Sequence, residues 1–524
     1  MSTKDTQFLK GAFALSLSTL LVKILGAMYR IPLYSMLGSE GIGLYQMAYP
    51  IYVVLLGVSS TGLNVAISKV VAERWALRKW SGARAVFRVS MTLMVILGLL
   101  ASLTLFGLSG WISQNMAKDP RSRLSIMAIS PALFVAAILS AFRGWFQGIE
   151  EMGAPAISQV VEQVARLLTV FLLGNLLLSR GIEHAAAGAT FGAVVGAAVG
   201  VVYIAAVYFA KAKTWNSDDS DVEESYLSIV REIASIAVPL SIASAVFGIT
   251  EIVDLGLVPR RLQVAGFSVE QATELWGQLS GGAFSILNLG SIFSGVQVAF
   301  VPSISAAAAL RDREGINRRV KKGLAITSAL ALPAALGLYV LAVPIPTLLF
   351  GEPEIGPILK SLAPAFYFFA LQQVTAGILQ GIGKIKVPLI NLGFAAIVKA
   401  VLTYKLVAVP SVGVVGAGIA TSFHFGVAAL LNLLAIYREL GNPIDVLGLF
   451  KTSLAGALMA VLAGFSYTRA TLVMPEKMAT VVAIAVAAFF YGVLALVLGA
   501  VPLEDLKAMP IIGSFVSRVS RKRT

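Results

Sequence analysis

The sequence predicts an all-α polytopic membrane protein of about fourteen transmembrane helices: two parallel six-helix lobes, related by a pseudo-twofold axis along the membrane normal, and two further helices after them. Three observations lead there. The 524 residues are 57% hydrophobic and only 13% charged, with a mean hydropathy of +0.85, whereas a water-soluble chain carries about a quarter charged residues. Apolar stretches of membrane-crossing length recur along the whole chain. A displacement of 233 residues then lays one half of it on the other, as when Gly57 falls on Gly290.

This composition excludes a water-soluble enzyme. The absence of Cys removes disulfides, thiolate catalysis and Cys-ligated metals. With only His184 and His424, a histidine-rich metal site is excluded too, so no metal or other cofactor is expected.

A spanning helix satisfies its backbone groups internally and needs about 20 apolar residues to cross the hydrocarbon core. Six such stretches come first, at 8–36, 43–68, 89–112, 124–149, 155–179 and 184–210. Six more follow a polar stretch, at 227–257, 279–310, 323–350, 356–383, 387–409 and 412–437, and the last two lie at 446–472 and 478–500. The first is too long for a signal peptide, is interrupted by Lys23 and Arg30, and has no small-residue cleavage site after it, so the mature chain is expected to start near Met1. The predicted organisation is an N-terminal lobe over 1–210, a cytoplasmic linker over 211–226, a second lobe over 227–440, and two extra helices with a basic tail over 441–524.

Lys and Arg crowd alternate connections: Lys69 to Arg88, Arg311 to Lys322, and Arg518 to Arg523. The positive-inside rule then puts both termini in the cytoplasm. The net charge of +14 fits basic loops against anionic membrane lipids rather than nucleic acid. The acidic run Asp218, Asp219, Asp221, Glu223 and Glu224 reads as a solvated hinge in the linker.

The repeat superposes Gly62 on Gly295, Asn64 on Gln297, Val65-Ala66 on Val298-Ala299, Pro131 on Pro364, Gln147-Gly148-Ile149 on Gln380-Gly381-Ile382, Pro155 on Pro388 and Arg166 on Lys399, without a gap. It displaces the chain by six spans, an even number, so the two halves run in the same direction. Parallel repeats suit a pathway between two lobes that rock to give alternating access, which a single chain can provide as a monomer.

A charge at mid-bilayer costs at least about 2.5–3.5 kcal/mol, so each one needs a reason. Lys23 and Arg30 share a face of the first span about 10 Å apart, where they can grip a phosphate or pyrophosphate; alternatively Arg30 snorkels to headgroups and Lys23 pairs with a carboxylate. Glu251 and Asp254, at i and i+3, can bind a coupling ion or neutralise a cation. Glu162 and Arg166, at i and i+4, form an intrahelical pair. Lys399 has Ala395 where that Glu would stand, so it must find an anion on another helix, with Glu251 or Asp254 as candidates. Asn64, Asn288 and Gln297 are read first as bridges between helices and second as substrate contacts. His424 reads as a packing residue, and Gly192, Gly196 and Gly200 as a close helix contact.

Phe8-Leu9-Lys10-Gly11, Lys23-Ile24-Leu25-Gly26, Gly38-Ser39-Glu40-Gly41-Ile42-Gly43-Leu44-Tyr45-Gln46, Val65-Ala66-Ile67-Ser68-Lys69-Val70-Val71-Ala72-Glu73 and Gly144-Trp145-Phe146-Gln147-Gly148, with its copy Gly377-Ile378-Leu379-Gln380-Gly381, resemble the SpoVB/MurJ-like branch of the multidrug/oligosaccharidyl-lipid/polysaccharide exporter superfamily. The resemblance covers nearly the whole chain. It implies a MATE-like V-shaped pair of lobes in a bacterial plasma membrane and an undecaprenyl-pyrophosphate-linked saccharide as cargo. Lys23 stands at a basic cavity position of the MurJ family and Arg30 about one residue from a second. The basic residues of the second span in Gram-negative members have no match, since Val53, Val54, Leu55 and Leu56 fill that region. Some relatives bind sodium between spans 7, 11 and 12; Asp254 suits such a site, but Lys399 can act there as a tethered cation instead.

The expected function is therefore a flippase for a lipid-linked cell-wall precursor, lipid II first and another polyprenyl-linked saccharide second, with no bond broken and so no enzymatic step. Drive would come from membrane potential, a proton or sodium gradient, or consumption of the product. A cationic-drug antiporter would want an acidic, aromatic cavity, whereas the first span is basic. A glycosyl polymerase would need an essential outer-loop carboxylate, and Glu40, Glu270, Glu274, Glu352 and Glu354 read as surface charges.

Overall fold

The computed structural model describes residues 15, 18, 21, 22, 25, 26, 28–212, 215, 225–310 and 312–499. The chain divides into two compact units, Met1–Gly277 and Gln278–Thr524.

In the first unit, α1 (Arg30–Leu56) runs through a kink at Gly38, whose φ of 62° and ψ of 177° suit only glycine. The kink falls where the sequence expects the turn between its first two spans. A π-helical turn, Gly57–Thr61, joins α1 to α2 (Gly62–Ala76). Then come α3 (Trp80–Asn115), α4 (Ser122–Gly148), α5 (Gly153–Leu178), α6 (Ile182–Ala212), α7 (Tyr226–Val264) and α8 (Val269–Gly277). α7 belongs to this unit by packing: the Ser241 hydroxyl donates to the Val58 carbonyl at 3.1 Å, and Arg74 on α2 pairs with Glu232 at 2.8 Å.

The second unit opens with a π-helical stretch, Gln278–Ala283, a single turn α9 (Phe284–Leu287) and a 3-10 turn, Asn288–Ile292. It continues with α10 (Phe293–Ala309), α11 (Arg313–Val340), α12 (Pro344–Phe350), α13 (Ile355–Gly381), α14 (Lys386–Leu406), α15 (Val415–Leu440), α16 (Val446–Ala470) and α17 (Glu476–Val497).

Among the described residues, 11 helices are long and apolar enough to cross a membrane, α1 and α2 counting as one of 47 residues. The protein is thus a multi-pass helical membrane protein. The expected count of fourteen is not confirmed: most of the first span lies outside the described residues, α7, at the seventh, is not among the eleven, and the eighth is broken into the short pieces from Gln278 to Ala309.

The 233-residue repeat reappears as contacts inside each unit. A Cβ placed on Gly148 would meet the Cβ of Val71 at 2.7 Å, and one on Gly381 would meet the Cβ of Ile304, the residue matching Val71, at 2.9 Å. Likewise Gly144 faces Ile67 and the Asn64 carbonyl, and Gly377 faces Gln297, the counterpart of Asn64. Lipid chains are as apolar as Leu, so helices associate through close packing of small residues rather than through hydrophobic burial. The glycines that match between the halves are the ones that set these crossings. Both halves also break regular α-helix at one register, by the π turn at Gly57 and by the 3-10 turn containing Gly290.

Candidate functional site

Glu162, on α5, lies at the centre of the polar interior of the first unit. Arg166, one turn along the same helix, donates Nη2 to Glu162 Oε1 at 2.9 Å. Arg143, near the end of α4, donates Nη2 to Oε2 at 2.9 Å and Nε to the Ser158 hydroxyl at 2.8 Å. The Ser158 hydroxyl in turn donates to the Pro155 carbonyl at 3.0 Å. The three charged side chains keep only 16–18% of their surface exposed.

Local packing explains the arrangement. Glycines 192, 196 and 200 line one face of α6 and let it lie against the α5 backbone: a Cβ on Gly196 would meet the Glu162 carbonyl at 2.7 Å and the Arg166 Cβ at 2.9 Å. Close helix contact accounts for these glycines, as their spacing implies. α4 and α5 each pack along α6 but touch one another little, so the Arg143–Glu162 bridge spans the gap between them.

On the α1 side the Arg166 Nη1 reaches the Tyr49 hydroxyl at 3.4 Å, while its Nε is buried with no hydrogen-bond partner. Tyr49 belongs to a run with Tyr45 and Tyr52, at ring-centroid distances of 5.5 and 5.8 Å, and the Tyr45 hydroxyl bonds that of Tyr29 at 3.1 Å. One carboxylate between two guanidinium groups leaves a net positive charge. Such buried triads are weak stabilisers, because desolvation of the ions consumes most of the attraction between them.

The second unit builds the matching site differently. Arg143, Ser158, Glu162 and Arg166 correspond to Ala376, Asn391, Ala395 and Lys399. One cation and the anion are lost together, so the net charge is kept. Lys399 is 6% exposed, with its Nζ 5.7 Å from the centre of the Phe284 ring. Asn391 donates to the Asn432 Oδ1 at 2.9 Å, and Asn432 donates to the Thr375 hydroxyl at 3.2 Å. His424, 3% exposed, stacks edge-on with Phe425 at 4.8 Å.

The other expected residues are distributed as follows. Lys23 lies outside the described residues. Arg30 is the half-buried first residue of α1. Asn64 donates to the Ser140 carbonyl at 2.9 Å, bridging α2 to α4, and Gln297 on α10 reaches the Gln380 Oε1 of α13 at 3.5 Å. Each thus makes a hydrogen bond between two helices of its own unit. Asn288 is exposed in the 3-10 turn, Glu251 is exposed on α7 and Asp254 is buried there. Sequence reasoning pairs Glu162 with Arg166 and misses Arg143. The available signal was an Arg directly ahead of the Gly-Trp-Phe-Gln-Gly motif, in a hairpin that brings it opposite Ser158 and Glu162. Among the described residues no group of three His, Asp or Glu is placed to hold a metal ion.

A second polar cluster closes one end of the first unit. Asp119, whose side chain is 1% exposed, pairs with Arg121 at 2.7 Å and accepts from the Thr273 hydroxyl at 2.7 Å, while Arg121 also reaches Glu40. The Asp119 hydrogen bonds hold the Arg121 guanidinium above its ordinary pKa, against a smaller opposing effect of burial.

The sequence matches the family described as "Polysaccharide biosynthesis protein" over residues 8–260 and the MatE family over 280–405. It is 27% identical over 523 residues to stage V sporulation protein B of Bacillus subtilis (strain 168), covering 98% of this chain and 99% of that protein. It is 26% identical to the lipid II flippase MurJ of the same organism, over 84% of this chain and 85% of that one. A solved structure of lipid II flippase MurJ in an inward closed conformation superposes with a TM-score of 0.65 at 14% identity, over 92% of this chain and 98% of that one.

Proposed function

We infer that this chain, which belongs to the multidrug/oligosaccharidyl-lipid/polysaccharide exporter superfamily, is a flippase that carries an undecaprenyl-pyrophosphate-linked cell-wall precursor, lipid II first among them, from the inner to the outer leaflet. The observation that carries this reading is the net positive Arg143–Glu162–Arg166 cluster in the interior of a membrane-spanning unit. Buried cations are expensive in lipid, and an anionic cargo gives them a use. A cationic-drug antiporter is disfavoured by the same charge.

In this mechanism no bond is made or broken. Basic groups, with Lys23 and Arg30 among them, neutralise the pyrophosphate while the saccharide crosses in water and the polyprenyl tail stays in lipid. Asn64, Asn288 and Gln297 are the polar candidates for contact with the cargo, and Lys399, Glu251 and Asp254 are the charged candidates for coupling to membrane potential or an ion gradient. Both termini face the cytoplasm, the basic loops rest on anionic lipids, and one chain suffices. Export of another polyprenyl-linked saccharide unit is the second reading, since the pyrophosphate handle is common to both cargoes.

The test is outer-leaflet exposure of lipid II in cells depleted of their own flippase and expressing this chain, with Lys23→Ala beside it at equal membrane abundance. Restoration by the unmodified chain and loss in Lys23→Ala supports the reading and that residue together. Failure of the unmodified chain, once correctly inserted, overturns lipid II as cargo.

A further inference from the structure

We propose that Arg143 and Arg166 form a two-guanidinium seat for a phosphoryl group, and that Glu162 is an internal carboxylate holding this seat until the phosphoryl group displaces it. The inference rests on the flippase reading for its cargo and goes beyond it in assigning the seat and its gatekeeper.

Geometry comes first. The two Glu162 oxygens accept from different arginines, each at 2.9 Å. A phosphoryl group presents the same paired acceptors to guanidinium forks, with more charge behind them. Capacity is left over, because the Arg166 Nε is buried with no hydrogen-bond partner and its Nη1 makes only the long 3.4 Å contact to Tyr49. A buried donor left unsatisfied is a standing cost that an additional acceptor relieves. Access is present too. The charged side chains retain 16–18% exposure, and α4 and α5, which the bridge joins, pack on α6 rather than on each other.

The second unit argues against a purely structural role. There α13 and α14, the helices matching α4 and α5, likewise each pack along α15 and touch one another little, although Ala376 and Ala395 replace the arginine and the glutamate. The helix arrangement does not require the triad. Glu162 also has a selective effect that a bare pair of arginines would lack. A singly charged anion exchanges one negative charge for another and gains little, whereas a phosphoryl group of higher charge wins the exchange.

The experiment measures binding to the full chain in phosphatidylcholine nanodiscs, by native mass spectrometry, with inorganic pyrophosphate in one arm and undecaprenyl pyrophosphate in the other. Glu162→Gln, which keeps the shape and removes the competitor, is expected to bind about ten-fold tighter, and Arg166→Gln about ten-fold weaker, the effect of one charge-assisted hydrogen bond. The double variant Arg143→Ala/Glu162→Ala reproduces the arrangement of the second unit at unchanged net charge, and it guards against misfolding of Glu162→Gln. It is expected to lose binding; binding equal to that of the unmodified chain would overturn the seat in favour of bulk charge, and so would Glu162→Gln affinity that is unchanged or reduced. A response in both arms assigns recognition to the phosphoryl group alone, and a response to the lipid alone assigns it to the headgroup in its membrane; either supports the seat. Binding that follows this pattern in a chain that fails to expose lipid II would sink the flippase reading and leave the seat standing.

Discussion

The Thr273 hydroxyl donates to Asp119 at 2.7 Å, tying α8 to the connection between α3 and α4 through a carboxylate that is almost wholly buried. Asp119 also accepts from the Arg121 backbone at 2.9 Å, so this one side chain organises the end of the first unit. Asp119→Ala leaves Arg121, which is 28% exposed, with Glu40 as its remaining counter-ion and strips the Thr273 hydroxyl of its acceptor, and is expected to lower stability by about 2–3 kcal/mol. Thr273→Val removes one hydrogen bond and should cost about 1 kcal/mol. Thermal unfolding in detergent separates the two, and equal losses would show that Asp119 does not act as a buried charge.

Gly196 is expected to be the least replaceable residue of α6. An added methyl group there runs into the Glu162 carbonyl, which is backbone and cannot swing aside, so Gly196→Ala must push α5 away and carry Glu162 and Arg166 with it. The expected loss is about 1–3 kcal/mol, typical of overpacking. Gly107 on α3 has nothing within 4 Å of such a methyl, and Gly107→Ala should be neutral or gain up to about 1 kcal/mol from helix propensity. Equal melting shifts for the two would argue against the α5–α6 contact.

How much of this could be read in advance depends on what each feature is made of. Helix order follows hydropathy, because lipid selects for apolar length, and the repeat follows residue identity, so the contacts of Gly148 with Val71 and of Gly381 with Ile304 were implicit in it. The breaks at Gly57 and Gly290 are defects in backbone hydrogen bonding that hydropathy does not register. Glu162–Arg166 is legible because i, i+4 spacing alone makes neighbours on a helix. Arg143 was not, because its contact is made across α4 and α5 and depends on how both lean on α6. That Asn64 and Gln297 are polar groups needing a partner is legible from their place in apolar spans, but the partners Ser140 and Gln380 emerge only from helix packing.

Glu270 should make the start of α8 sensitive to acid. Its carboxylate is held below the ordinary range by its own backbone amide and by the Ser268 hydroxyl, which donates at 2.9 Å. A carboxylate with a depressed folded pKa contributes stability above its unfolded pKa and loses it as pH falls through the folded value. Protection of the α8 amides from hydrogen exchange is therefore expected to decline on acidification below the normal carboxylate range, and Glu270→Gln should flatten that decline. An unchanged pH profile in the variant would place the sensitivity elsewhere.

Lys399 is the second unit's counterpart of Arg166, and the face of Phe284 is part of what makes its burial tolerable. At 5.7 Å the ammonium lies near the outer limit for attraction to a ring quadrupole, about 6 Å, so the contact belongs in the lower part of the range of about 0.5–2 kcal/mol. Single substitutions cannot isolate it. Lys399→Met also alters every other interaction of the ammonium, and Phe284→Leu also changes packing beside the 3-10 turn. A double-mutant cycle removes both contributions, provided neither replacement makes a new contact. Unfolding of the unmodified chain, the two single variants and the pair is expected to give a favourable coupling of about 0.5–1 kcal/mol. A coupling indistinguishable from zero would mean that Phe284 only fills space, and the charge of Lys399 would then have to be held by its other neighbours alone.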